Sequence, residues 1–143
     1  MKRVWINNSI FLWAWIFAIV ITLSSCGKQE LDIQQNFPFE VKLMPIPPAI
    51  AKGHSIEIRA TILPSGNYAG TEYFIRYFQY SGTGMLRSTT SSWYRPNDRY
   101  PLPSRQFRLY YISLEATSHA FDVWISDNFG NEQQLSFEFN NQD

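Results

Sequence analysis

The sequence predicts an all-β sandwich behind an N-terminal export segment. Three observations carry this reading. From Phe37 onward, short runs of residues alternate with period two. Breaks rich in Pro, Gly, Ser and Asn recur at spacings of about 10 to 15 residues. No window of useful length shows the 3.6-residue apolar period of a helix packed on a core. The 143 residues suffice for one such domain and hardly for two.

The first segment is of a different kind. Lys2 and Arg3 precede Ile10 to Leu23, IFLWAWIFAIVITL, fourteen residues without a charge. A spanning helix needs about 20 apolar residues, so this run reads as the core of a signal peptide rather than a membrane span. Leu23-Ser24-Ser25-Cys26 then places an aliphatic residue and two small residues before the only cysteine. This pattern resembles a bacterial lipobox. The resemblance implies that residues 1–25 are removed and that Cys26 becomes the mature N-terminus, with diacylglycerol on its sulfur and an acylated amine. A single acyl chain binds a bilayer only marginally, whereas two or three hold a soluble domain there. Residues 26–36 are polar apart from Leu31 and Ile33 and read as a lipid-anchored tether.

Strands are expected along residues 37–141. Phe39–Leu43 alternates, and Met44-Pro45-Ile46-Pro47-Pro48 ends it, because proline cannot donate to a ladder. Ser55–Leu63 sets Ile56, Ile58, Ala60 and Ile62 against Glu57, Arg59 and Thr61. Glu72–Tyr80, EYFIRYFQY, is aromatic on both faces, and Met85–Arg87 is a short strand after a Ser-Gly-Thr-Gly turn. Gln106–Leu114, Ala120–Ser126 and Gln133–Asn140 complete the set, with a turn at Asp127–Asn131 whose Gly130 suits positive φ. About seven strands of this kind fit an immunoglobulin-like or fibronectin-like sandwich, with a small open barrel as the alternative. Without residues 1–25, nine Phe, eight Tyr and two Trp remain to build a core without disulfides.

Charge and motifs narrow the function classes. The whole chain carries 12 basic and 12 acidic residues; loss of Lys2 and Arg3 leaves 10 against 12, a net charge of −2. That balance does not favour nucleic acid or anionic lipid as a partner of the domain. There is no Gly-x-Ser-x-Gly elbow, no phosphate-binding glycine loop and no His/Cys set at metal-ligand spacing. His54 and His119 are expected to be solvated, and a triad drawn from a serine, His119 and Asp122 has no support beyond composition. No catalysis, metal or cofactor is expected.

Two stretches are candidates for recognition. Phe74, Arg76, Phe78 and Tyr80 share one strand face, and Arg108, Tyr110 and Ile112 share another. The opposite faces, Tyr73-Ile75-Tyr77 and Phe107-Leu109-Tyr111, are less polar and are expected inside. Arg76, Phe78, Arg108 and Tyr110 therefore form a candidate protein interface, since exposed Arg among aromatics is hot-spot composition. Arginine stems covering apolar surface would look the same in sequence. The second stretch, Trp93 to Leu102, contains Trp93, Asn97, Asp98, Arg99 and Tyr100 beside Pro96 and Pro101. It reads as an ordered loop that joins the two sheets, or one that presents Arg and Tyr to a partner. Exposed aromatics also suit sugars, which keeps a glycan-binding surface module as a rival, though only Trp93 and Trp124 remain in the mature chain. A tight inhibitor or immunity protein is a third, lesser reading.

Several runs resemble a known family. ELDIQQNFPFEVKLMPIP (Glu30 to Pro47), IRYFQYSGTG (Ile75 to Gly84), RPNDRYPL (Arg95 to Leu102), FRLYYIS (Phe107 to Ser113) and DNFGNEQQLSFEFNN (Asp127 to Asn141) are similar to the TraQ family of conjugative-transposon proteins of Bacteroidetes. The resemblance implies a small lipoprotein with an immunoglobulin-like sandwich, encoded among DNA-transfer genes. It implies no catalytic or cofactor residues. The expected role is an accessory or structural component of the transfer apparatus that binds other envelope or apparatus proteins through a sheet face or edge. Gly27 in place of an aspartate after Cys26 leans towards the outer membrane over the inner.

Overall fold

The computed structural model describes residues 34–89 and 91–142. The export segment and Cys26 lie outside the described residues. Among the described residues there are nine strands and no helix. They are β1 (Phe39–Leu43), β2 (Ala49–Ile50), β3 (Ser55–Pro64), β4 (Tyr73–Ser81), β5 (Gly84–Ser88), β6 (Tyr100–Leu102), β7 (Gln106–Ser113), β8 (His119–Asp127) and β9 (Glu132–Asn141).

These strands form a β-sandwich. One sheet has the order β1-β3-β7-β5 and the other the order β2-β9-β8-β4-β6. All pairings are antiparallel except β2 with β9. The proline segment after Met44 carries the chain from one sheet to the other, where a strand need not continue its ladder.

Seven strands match the sequence expectation, and two short edge strands are additional. β2 is two residues long and follows Pro47-Pro48. β6 lies inside the stretch expected to be all loop, and Pro101 sits within it opposite Phe74. Proline is tolerated there because β6 is an edge strand with one free side.

The inward faces are those the alternation predicts. Ile58, Leu109, Ile75 and Val123 are fully buried, and Tyr73, Tyr77 and Tyr111 are buried with them. Rings bridge the sheets: Tyr111 of β7 stacks on Phe121 of β8 with centroids 4.4 Å apart and on Phe139 of β9 at 5.9 Å. Stacked or offset pairs of this kind add about 0.5–1.5 kcal/mol beyond burial.

His119 corrects an expectation. It is 1% exposed, not solvated. Its Nδ1 accepts from the Tyr111 hydroxyl at 2.8 Å. Its Nε2–H faces the Ser113 hydroxyl oxygen at 2.9 Å and the Glu115 carbonyl at 3.1 Å. The carbonyl can only accept, which assigns the proton to Nε2. The Tyr111 hydroxyl in turn accepts from Gln79 Nε2 at 2.7 Å, and burial pushes it up to about 12. Every polar atom of this buried group has a partner, as low-dielectric burial requires. The turn before β5 fits over it: a Cβ on Gly84 would overlap the Tyr111 hydroxyl, and one on Gly82 (φ +70) would crowd the His119 ring.

Candidate functional site

With the inner faces closed, chemistry is available on the two outer faces. Period-two alternation puts Phe74, Arg76, Phe78 and Tyr80 of β4 outward, beside Trp124 and Asp122 of β8. Arg76 pairs directly with Trp124, and its guanidinium lies 4.2 Å from the indole centroid. Arg99, from the loop before β6, lies 3.6 Å from the Phe74 ring centroid. Neither guanidinium has an ion pair among the described residues. The two arginines line a groove of about 260 Å³ that also contains Asp127, Gly130, Asn131 and Glu132. Asp127 is bound within its own turn, accepting from the Phe129 and Asn131 amides at 2.8 and 2.9 Å.

Asp122 is a further charged group of this face. It is 7% exposed because Tyr80, Ser136 and Gln134 cover and hydrogen-bond it. Loss of solvent raises its carboxyl, but those three hydrogen bonds outweigh this and leave it below its ordinary value. The hydrogen bond to Asp122 pushes the Tyr80 hydroxyl up. His119 and Asp122 point to opposite faces of β8, so they do not belong to one triad.

The four-stranded sheet carries a different face. Glu57 of β3 sits between two arginines. Its Oε2 accepts from Arg59 Nε and Nη2 at 3.0 and 2.8 Å, and its Oε1 accepts from Arg108 Nη1 at 3.1 Å and from the Tyr110 hydroxyl at 3.2 Å. The hydrogen bond from Arg59 leads in holding the Glu57 carboxyl below its ordinary value. Arg87 of β5 lies opposite Tyr110, with its guanidinium 5.2 Å from the Trp93 ring and 5.7 Å from the Tyr110 ring.

This geometry corrects one grouping from the sequence. Arg76 and Phe78 belong to the five-stranded sheet, whereas Arg108 and Tyr110 belong to the four-stranded sheet. They line two opposite outer faces, not one surface. Conversely, Arg99 of the loop and Arg76 of β4, read separately in sequence, share one groove. Glu57, Arg59 and Arg87 were not singled out. The outward parity of Glu57 and Arg59 was visible, but their meeting with Arg108 depends on the β3–β7 register.

The loop itself is tied to both sheets. Tyr94 is buried and stacked on Tyr100 at 4.4 Å, and its amide donates to the Leu86 carbonyl of β5 at 2.7 Å. The Asn97 amide donates to the Tyr77 carbonyl of β4 at 2.8 Å. Between them, the Asp98 amide donates to the Arg95 carbonyl with Pro96 and Asn97 (φ 67) at the turn centre, which is type II turn chemistry. The Tyr100 hydroxyl accepts from the Arg95 amide at 2.9 Å. Trp93 remains 42% exposed at the start of this loop.

Fold and faces together define a small β-sandwich whose stacked and paired arginines lie on its outer sheet surfaces, and among the described residues no cluster could hold a metal ion. Residues 9–142 match the TraQ conjugal transfer protein family, and the chain belongs to that family. The crystal structure of a conjugative transposon lipoprotein from Bacteroides eggerthii is similar, with 43% identity over 74% of this chain and 100% of that one, at a TM-score of 0.69. The solution structure of a lipoprotein from Bacteroides thetaiotaomicron is 43% identical, covers 81% of this chain and 89% of that one, and has a TM-score of 0.68. A conjugate transposon protein from Bacteroides vulgatus is 47% identical over 78% and 91% of the two chains, with a TM-score of 0.66. No curated protein sequence matches the chain.

Proposed function

We propose that this protein is an accessory, non-enzymatic lipoprotein of a conjugative-transposon DNA-transfer apparatus, held in the cell envelope through Cys26 and acting by binding other apparatus proteins. Family membership supports the process, and the similar chains from Bacteroides eggerthii and Bacteroides thetaiotaomicron are lipoproteins. The lipobox at Leu23–Cys26 supports the anchor, and Gly27 favours the outer membrane.

One observation carries the binding surface: Arg76 and Arg99 are held over Trp124 and Phe74 without an ion pair. Ring stacking fixes a guanidinium while leaving its edge donors free for a partner. The sheet edges are poorer candidates for strand addition. β2 and β6 are two and three residues long, β1 lies between Pro38 and Pro45, and the Leu86 carbonyl of β5 is taken by Tyr94. The glycan reading is weakened by the same contacts, because Arg76 covers one face of Trp124 and Arg87 approaches that of Trp93.

Deletion of the gene should lower transfer frequency, with rescue by the wild type and not by Cys26→Ala or by the double variant Arg76→Glu/Arg99→Glu. Wild-type transfer without the gene would remove the conjugation role. Crosslinking in donor cells should recover apparatus proteins; a sugar-dependent tryptophan fluorescence change instead would favour the glycan module.

A further inference from the structure

The outer face of the four-stranded sheet has a charge imbalance that the fold does not need. Arg59 and Arg108 are directly opposite in the β3–β7 register, a like-charge pair that opposes strand pairing. Among the described residues, Glu57 is the one carboxylate that bonds to them, and Arg87, across Tyr110 from Glu57, has no ion pair. Three guanidiniums against one carboxylate leave this patch net positive within a mature chain of net charge −2. Glu57 also displays the local chemistry: one carboxylate spans two guanidiniums and a tyrosine hydroxyl. At the edge of this face, between the sheets, opens a mainly apolar groove of about 250 Å³, lined by Ser88, Phe107 and Arg108 of the four-stranded sheet and by Leu102 and Pro103 at the end of β6.

We propose that this face docks an acidic segment of a partner protein, with a carboxylate between Arg87 and Arg108 and a neighbouring apolar side chain in the groove. Charge complementarity selects the acid, and the groove selects a peptide. A nucleic acid would need a longer run of cations for its phosphates. A bilayer surface would meet few net charges and leave the groove unused. The site is separate from the Arg76–Arg99 groove on the opposite sheet, so the protein would join two partners.

Fluorescence anisotropy with the full chain in neutral detergent tests this, using a fluorescein-labelled peptide of alternating Glu and Leu. Binding should saturate and should weaken about fivefold between low salt and about 0.3 M salt, where exposed charges are screened. It should fall about tenfold in Arg87→Ala/Arg108→Ala, as for loss of central contacts. Arg87→Ala alone, which removes no ion pair and only the longer ring contacts, should shift it in the same direction with little change in the unfolding midpoint. Arg76→Glu should leave it unchanged, which separates this site from the surface proposed above. Equal binding of a Lys–Leu peptide, unchanged affinity in the Arg87 variants, or preference for phosphatidylglycerol vesicles or single-stranded DNA over the acidic peptide would overturn the proposal.

Discussion

The two outer faces hold their arginines in opposite ways. On the five-stranded sheet, aromatic rings hold Arg76 and Arg99, and the buried carboxylates Asp122 and Asp127 are occupied, Asp122 by Tyr80 and Gln134 and Asp127 by its own turn. On the four-stranded sheet, a carboxylate holds Arg59 and Arg108, and only Arg87 rests on rings. A ring fixes a guanidinium without using its donors or its charge. A carboxylate uses both, and its hold on an exposed pair weakens with salt. The difference therefore separates a preorganised face from a face tuned by ionic conditions.

Both faces rest on one aromatic stack, so the most disruptive change should erase the comparison altogether. Tyr111→Ala removes the ring between Phe121 and Phe139 and leaves His119 Nδ1 without its donor. Truncating a buried aromatic costs about 3–5 kcal/mol. Urea unfolding followed by circular dichroism should show a loss of this size. A cost below about 1 kcal/mol would mean that the stack does not join the sheets.

Asp122→Ala tests the five-stranded face. The carboxylate accepts from Tyr80, Gln134 and Ser136, and hydrogen bonds to a charged group are worth about 1.5–3 kcal/mol each before water replaces them. Since Tyr80 and Gln134 are exposed and can turn to solvent, a net loss of about 1–2 kcal/mol is expected by thermal melting. The loss should persist in high salt, because the network is hydrogen-bonded and shielded from solvent.

How far sequence reached differs between strand faces and their partners. Inward positions such as Ile58, Ile75 and Leu109 were legible because period-two alternation needs no knowledge of the neighbouring strand. β6 was not, because Pro101 reads as loop and only the edge position permits it. The separation of Arg76 from Arg108 was hidden because strand parity gives the face of a sheet and not which sheet it is. His119 was misread for a related reason: a polar residue at a strand start looks solvated until Tyr111 and Ser113 of the preceding strand reach it.

Arg76→Ala sharpens the comparison with a smaller effect. Loss of the guanidinium over Trp124 should cost about 0.5–1 kcal/mol, the range for exposed cation–π pairs. In a Trp93→Phe background without residues 1–25, where Trp124 is the remaining tryptophan, its emission should shift to the red as water reaches the bared ring. Arg76→Lys should recover only part of both changes, since an ammonium lacks the planar stack. Full recovery by lysine would mean that charge alone matters at this position.

Glu57→Gln should have the smallest effect and the clearest dependence on conditions. In the folded protein the Arg59 hydrogen bond holds the Glu57 carboxyl below the ordinary glutamate value of about 4.3. Above that value the carboxylate is ionised in both states, and its contribution to stability is fully present. Between the two values the unfolded chain binds more protons, so stability rises with pH across that window. As pH falls through the folded value the contribution is lost. Glu57→Gln should flatten this part of the pH–stability curve and lower stability at neutral pH, because Arg59 and Arg108 then face each other without a shared anion. High salt should narrow the gap between variant and wild type by screening both the lost attraction and the exposed repulsion. Asp122 is also held below its ordinary value, yet its slope should survive the same salt, because hydrogen bonds from Tyr80, Ser136 and Gln134 set it. Equal salt sensitivity in Glu57→Gln and Asp122→Asn would mean that the two faces hold their charges in the same way.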